Sequence, residues 1–207
     1  PTPWPAEKFA GLFTKEITEG MVVPRVERRG PAGLVTITVT RTGMTATDES
    51  LLRGAARTAL ATGSPVSFRH GADAVRELDV VLDERLPADR VAVGGLDRRE
   101  AVAAGDTQRI ADRGAHVVLD HVGTEDDEHL TDAERAALVA DLVRAGHAGR
   151  ILLSVGATGV AKGHPANDLP YSHVLTAFVP LLKAHGVGGD DVRRILQANP
   201  RDLLATR

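Results

Sequence analysis

The sequence predicts an α/β fold, a run of βα units around a parallel sheet that amounts to a partial (β/α)8 barrel with about five strands. Three observations predict it. Short β-branched runs alternate with helical patterns of about ten residues or more. The units recur roughly every 30 residues, the length of a strand with its crossover helix. The chain is 43% hydrophobic but only 3% aromatic, so Ala, Val and Leu do the packing, as suits strands covered on both faces.

The elements follow in order. Residues 1–5 are a Pro-rich lead-in, and from Ala6 to Glu19 the residues Phe9, Leu12, Phe13 and Ile17 recur at helical spacing before Gly20 closes the helix. Residues 21–31 are irregular. Leu34 to Thr40 alternates apolar residues with threonine and reads as a strand, after which Thr47 or Asp48 is expected to cap a helix running to Thr62. Strand Pro65–His70 precedes helix Asp73–Glu84, and strand Val91–Gly94 precedes helix Arg98–Asp112. Strand Ala115–Asp120 precedes helix Thr131–Ala145. Strand Arg150–Ser154 leads into a Gly-rich loop, and helices follow near Tyr171–His185 and Asp190–Gln197. The 207 residues are expected to form one domain, 1–207. A closed barrel of this kind needs about eight strands and 250 residues. A second polypeptide, or a segment N-terminal to Pro1, is therefore expected to complete the barrel, with assembly into an oligomer. No Gly-x-Gly-x-x-Gly follows a strand, so the dinucleotide fingerprint is absent.

Composition removes several classes. A net charge of -3 with both signs interspersed, and no basic stripe alternating with aromatics, argues against nucleic acid. No apolar stretch approaches the roughly 18 residues of a membrane span, and residues 1–11 lack the basic and apolar regions of a signal peptide. Zero cysteines leave no disulfide framework and no thiolate nucleophile. A cytoplasmic location fits these features.

Segment by segment, the chain resembles the phosphotriesterase family of the amidohydrolase superfamily. The resemblance is carried by Phe13-Thr14-Lys15-Glu16-Ile17, Ala32-Gly33-Leu34-Val35, Gly63-Ser64-Pro65-Val66, Asp112-Arg113-Gly114-Ala115 and Arg150-Ile151-Leu152-Leu153-Ser154. It continues through Pro170-Tyr171-Ser172-His173, Phe178-Val179-Pro180-Leu181-Leu182, Gly186-Val187 and Asn199-Pro200. The resemblance implies strands four to eight of a metal-dependent-hydrolase barrel, with two divalent metals at the strand ends. It implies a carbamylated Lys at Thr36, a His at Arg69, a His at Gly95 and a His-Asp pair at Val155-Gly156, with the His-x-His of the first strand preceding this chain. None of these positions carries the implied ligand. No metal and no cofactor are expected, since two dications need several anionic or imidazole donors to replace their water.

The polar groups left at strand ends are the candidates. Arg69, with a permanent planar charge, is expected to bind an anionic or carbonyl group of a small-molecule ligand, or to pair with Asp97 or Asp120. Thr36 and His70 are further substrate-binding candidates, although alternation sends His70 away from the side that Arg69 faces. Asp120, His121 and Asp97 are the candidate catalytic groups, because carboxylates beside an imidazole can move protons. Alternation also places Asp120 and His121 on opposite faces of a regular strand, so one of them is expected in a loop. His164, Asp168 and His173 read as solvated, as does the acidic run Glu125-Asp126-Asp127-Glu128. The expected function is that of a phosphotriesterase-like hydrolase homologue working by metal-independent acid/base or electrostatic chemistry on an ester, lactone or phosphoester-like substrate. The alternative is a non-catalytic subunit or pseudoenzyme.

Overall fold

The computed structural model describes residues 3–21, 30–156 and 169–205. Its elements are α1 (Ala6–Thr18), β1 (Val35–Thr38), α2 (Ala46–Thr62), β2 (Val66–Arg69), α3 (Ala74–Asp83), β3 (Val91–Gly94), α4 (Arg99–Ala103), α5 (Asp106–Asp112), β4 (His116–Val122), α6 (Asp132–Arg144), β5 (Ile151–Val155), α7 (Val179–Ala184), α8 (Gly189–Arg193) and α9 (Asn199–Leu204). The five strands follow chain order, β1-β2-β3-β4-β5, as expected of successive βα units. By internal contacts the residues group into two compact units, one built on 3–93 with 113–116 and the C-terminal end, the other on 94–112 and 117–200.

In the first unit β1 and β2 pair in parallel, with Val35 opposite Val66 and Thr38 opposite Arg69. Val35 and Ile37 turn inward while Thr36 and Thr38 are exposed, the alternation that a pleated strand imposes. The cap of α2 lies earlier than Thr47 or Asp48. Thr45 is the N-cap: its hydroxyl accepts from the Asp48 N–H, and the Asp48 carboxylate accepts from the Thr45 N–H at 2.9 Å. Asp48 thus closes the reciprocal box from the third helical position. Arg90, buried, donates to the Leu203 carbonyl at 2.8 Å and to the Gly63 carbonyl, tying the C-terminal helix to the end of α2.

Helix α1 packs on α2 through Gly54, where a Cβ would lie 2.7 Å from the Phe9 Cβ and 2.9 Å from the Ala6 carbonyl oxygen. Gly54→Ala is therefore expected to lose stability by about 1–3 kcal/mol. Helix propensity alone would make the same change favourable, so thermal denaturation of this one variant decides whether close helix contact governs the site.

In the second unit β4 and β5 pair in parallel, with Val117 opposite Ile151 and Leu119 opposite Leu153. The register then shifts before Val122 meets Val155, a bulge near the end of β4. The helix expected over 98–112 is two helices, broken at Gly105, whose φ of 75° a side chain rarely tolerates. Helix α6 starts from a capping box of Thr131 and Glu134. Towards the C-terminus, wide π-type turns at 174–178 and 194–198 are each followed by a proline two residues on, Pro180 and Pro200. Proline has no N–H to close an ordinary helical turn, and the wider turn absorbs that loss. Asn199 donates its side-chain amide to the carbonyls of Ala148 and Ile151, both at 2.8 Å, and so anchors the last helix beneath β5.

Candidate active site

The bulge in β4 brings Asp120 and His121 together. Alternation fails where the register slips, because an extra residue rotates the chain by half a pleat. Asp120 Oδ1 lies 3.2 Å from His121 Nδ1, so neither residue has to leave for a loop. The expectation that they face opposite ways is corrected on this point. Asp97, three residues beyond β3, completes the group. Its Oδ1 is 2.9 Å from His121 Nδ1, and its Oδ2 accepts the His121 backbone N–H at 3.0 Å. Asp120 Oδ1 in turn accepts the Gly95 N–H at 2.8 Å. The ring N–H of His121 is thus shared by two carboxylates whose positions are set by backbone donors.

A buried arginine supports this group from behind. Arg135, on α6 and fully buried, donates from Nε to Asp97 Oδ2 at 2.9 Å, from Nη1 to Asp132 Oδ1 at 2.8 Å and from Nη2 to the Thr124 carbonyl at 2.9 Å. Asp132 accepts as well from the Gly123 N–H and lies 2.7 Å from His173 Nε2. Sequence reasoning offered Arg69 as a partner of Asp97 or Asp120; the oxygens of Asp97 engage His121 and Arg135. Arg135 was legible in principle, since it shares the apolar stripe of α6 with the buried Ala136, Val139 and Leu142. Residue His173, read as solvated, is likewise part of the network.

These contacts set the charges. Burial opposes a charge on His121, but the hydrogen bonds to Asp120 and Asp97 outweigh it and its pKa is pushed up to about 9. Burial would raise the Asp97 pKa, yet the His121 hydrogen bond and charge hold it below the ordinary carboxylate range. At neutral pH His121 is thus an imidazolium hydrogen-bonded to the ionised Asp97 and lying against Asp120.

The remaining candidates lie in the first unit. Arg69 ends β2 and is exposed, with Thr38 level with it on β1. Thr36 is two residues further back, opposite Ser67, and lines a groove of about 180 Å³ with Phe13, Glu16, Ile17 and Leu34. His70 turns inward and is 2% exposed, as alternation requires. His164 and Asp168 lie outside the described residues.

Comparison with known proteins decides the lineage. The family model for the Phosphotriesterase family matches residues 4–204. The chain belongs to the phosphotriesterase family. It is 25% identical over 208 residues to a "Phosphotriesterase homology protein" of Mycobacterium tuberculosis, covering 96% of this chain and 61% of that one. A protein of the same description from Escherichia coli is 26% identical over 201 residues, covering 96% and 66%. The chain thus spans about three fifths of the length of the curated relatives it matches. Among solved structures, the Escherichia coli phosphotriesterase homology protein, complexed with phosphate in its active site, superposes with a TM-score of 0.81 at 24% identity, covering 98% of this chain and 68% of that one. An amidohydrolase from Mycoplasma synoviae superposes with a TM-score of 0.82 at 23% identity, covering 98% and 61%. The family's barrel fold accounts for the five-strand order seen here.

The ligand positions implied by the phosphotriesterase family do not fit a dinuclear centre in this chain. At Gly95, with φ of 78°, a Cβ would lie 2.6 Å from the guanidinium of Arg98, which is 3% exposed and fills the place of a side chain there. At Gly156 a Cβ would lie 3.3 Å from both the Asp120 carbonyl oxygen and the His121 ring. Arg69 is a fixed cation, and Thr36 offers a hydroxyl on an exposed strand face. Among the described residues the group with donors close enough for an ion is Asp97, Asp120 and His121, whose ligand atoms lie within 4.8 Å of one another.

Proposed function

We propose that this member of the phosphotriesterase family is a metal-independent hydrolase in which His121 acts as a general acid on a small ester, lactone or phosphoester-like substrate. The observation that carries the reading is the His121 ring held at 2.9 and 3.2 Å from Asp97 and Asp120. With Nδ1 engaged by the carboxylates, Nε2 is the atom that passes a proton to a leaving oxygen. Donors this close can be bridged by a proton or by a metal ion. The buried Arg135 cation on Asp97 favours the proton, because a dication would sit against a fixed positive charge. Arg69 is proposed as an anion-binding group and the exposed Thr36 as a secondary contact, whereas His70 faces the interior.

The test is turnover of an ester, lactone and phosphoester panel after exhaustive chelation. We expect His121→Asn to reduce turnover about 10²–10⁴-fold, and Arg69→Ala to raise KM for anionic substrates chiefly. Turnover that disappears on chelation and returns with zinc overturns the metal-independent reading. A second reading is favoured by the emptied ligand positions: a non-catalytic subunit whose barrel is completed by another polypeptide. Unpaired outer strands drive association, so native mass measurement is expected to find an assembly larger than one chain of 21.9 kDa. A monodisperse monomer contradicts that expectation.

A further inference from the structure

A second imidazole lies on the first. The ring centroids of His121 and His129 are 3.8 Å apart with the planes tilted by 35°. Nothing in the acidic run before His129 suggested this, since it reads as a solvated loop. The run is instead folded on one carboxylate: Asp126 Oδ1 accepts from the backbone N–H of Glu128, the backbone N–H of His129 and the His129 ring Nδ1, at 2.9, 2.9 and 2.7 Å. The segment is also stapled to the turn that carries Asp97. Arg98 and His129 form an antiparallel bridge, the Arg99 N–H donates to the Glu128 carbonyl at 2.9 Å, and the Leu130 N–H donates to the Asp97 carbonyl at 3.1 Å. The His129 side chain is 12% exposed, as is that of His121, whereas Asp126 reaches solvent.

We propose that His129 is the positioning residue of this site, its ring covering one face of His121 so that the imidazole keeps its plane between Asp97 and Asp120 and meets a ligand only along its edge. The proposal rests on the reading of His121 as the proton donor. It adds what aims the proton, because a ring hinged on hydrogen bonds at one nitrogen can still swing about that edge unless a face is blocked. The backbone bridge between residues 97–99 and 128–130 fixes the segment whatever side chains it carries. The part peculiar to the side chains is the pair Asp126 and His129.

The test uses the ring N–H of His121, a low-field proton resonance assigned by its loss in His121→Asn, and needs no substrate. In the parent chain the resonance is expected to be visible and slow to exchange with water. In His129→Ala its exchange is expected to be at least tenfold faster, while backbone amide protection along β4 stays unchanged. His129→Phe, which restores a stacking face without the ring nitrogens, is expected to restore slow exchange. Exchange in His129→Ala equal to that of the parent overturns the proposal. So does failure of His129→Phe to recover it, or absence of the resonance from the parent chain. Loss of the general-acid reading has a different signature, namely turnover unaffected by His121→Asn with the resonance behaving as described.

Discussion

Asp97→Ala is expected to lower the stability of the chain by about 3–5 kcal/mol, the cost of taking from a fully buried guanidinium one of its two carboxylate partners. Asp97 and Arg135 are both fully buried, and the 2.9 Å contact between them is one of three that hold the guanidinium. Removing the carboxylate also takes an acceptor from the His121 ring and from its backbone N–H. Arg135 cannot shed its charge by losing a proton, so it must either rely on Asp132 alone, with its Nε–H left without an acceptor, or pull α6 away from the turn after β3. Asp97→Asn keeps the acceptor oxygen without the charge and is expected to cost less. Urea denaturation checks both, and a loss below about 1 kcal/mol in Asp97→Ala would show that solvent reaches Arg135 without unfolding.

Stability is expected to fall by about 3 kcal/mol as pH rises from 6.5 to 9, the linkage equivalent of the His121 shift. The folded-state value of about 9 lies above the ordinary 6.5, so the folded chain binds the proton more tightly than the unfolded one. That stabilisation is complete below pH 6.5 and is lost as pH climbs through the folded value. Asp97 works in the opposite direction. Its lowered pKa stabilises the fold above the ordinary carboxylate range and ceases to do so as pH falls through the folded value. A plateau in mildly acid solution, descending on the alkaline side, is the combined result, the three groups titrating as a unit. His121→Asn is expected to flatten the alkaline descent. A profile level from pH 6.5 to 9, or a descent that survives the substitution, contradicts the assignment.

The strands were legible because Leu34 to Thr40, Pro65 to His70 and Val91 to Gly94 carry period-two or continuous β-branched patterns that only a sheet can bury. Asp97, Asp120 and His121 were legible as residue types at strand ends. Their convergence was not, because a bulge is a property of pairing between β4 and β5 and leaves no mark in either strand alone. The turn at Gly105 was missed for a related reason, a left-handed backbone inside an otherwise helical pattern. Arg135 and Asp132 were not singled out, although an arginine in register with Ala136, Val139 and Leu142 is a charge on the buried side and requires a buried partner. His129 lay beyond sequence reasoning altogether, since its place follows from backbone contacts between two loops.

The guanidinium of Arg98 lying over Gly95 bears on how this lineage can change. A mutation that puts histidine at 95 meets the occupied space at once, and the left-handed backbone there resists it independently. The neighbour has to shrink first, which strips a cation from the turn before any new donor arrives to compensate. A histidine at 95 is therefore reached only in two steps, the first of which gives up the guanidinium that now occupies the turn.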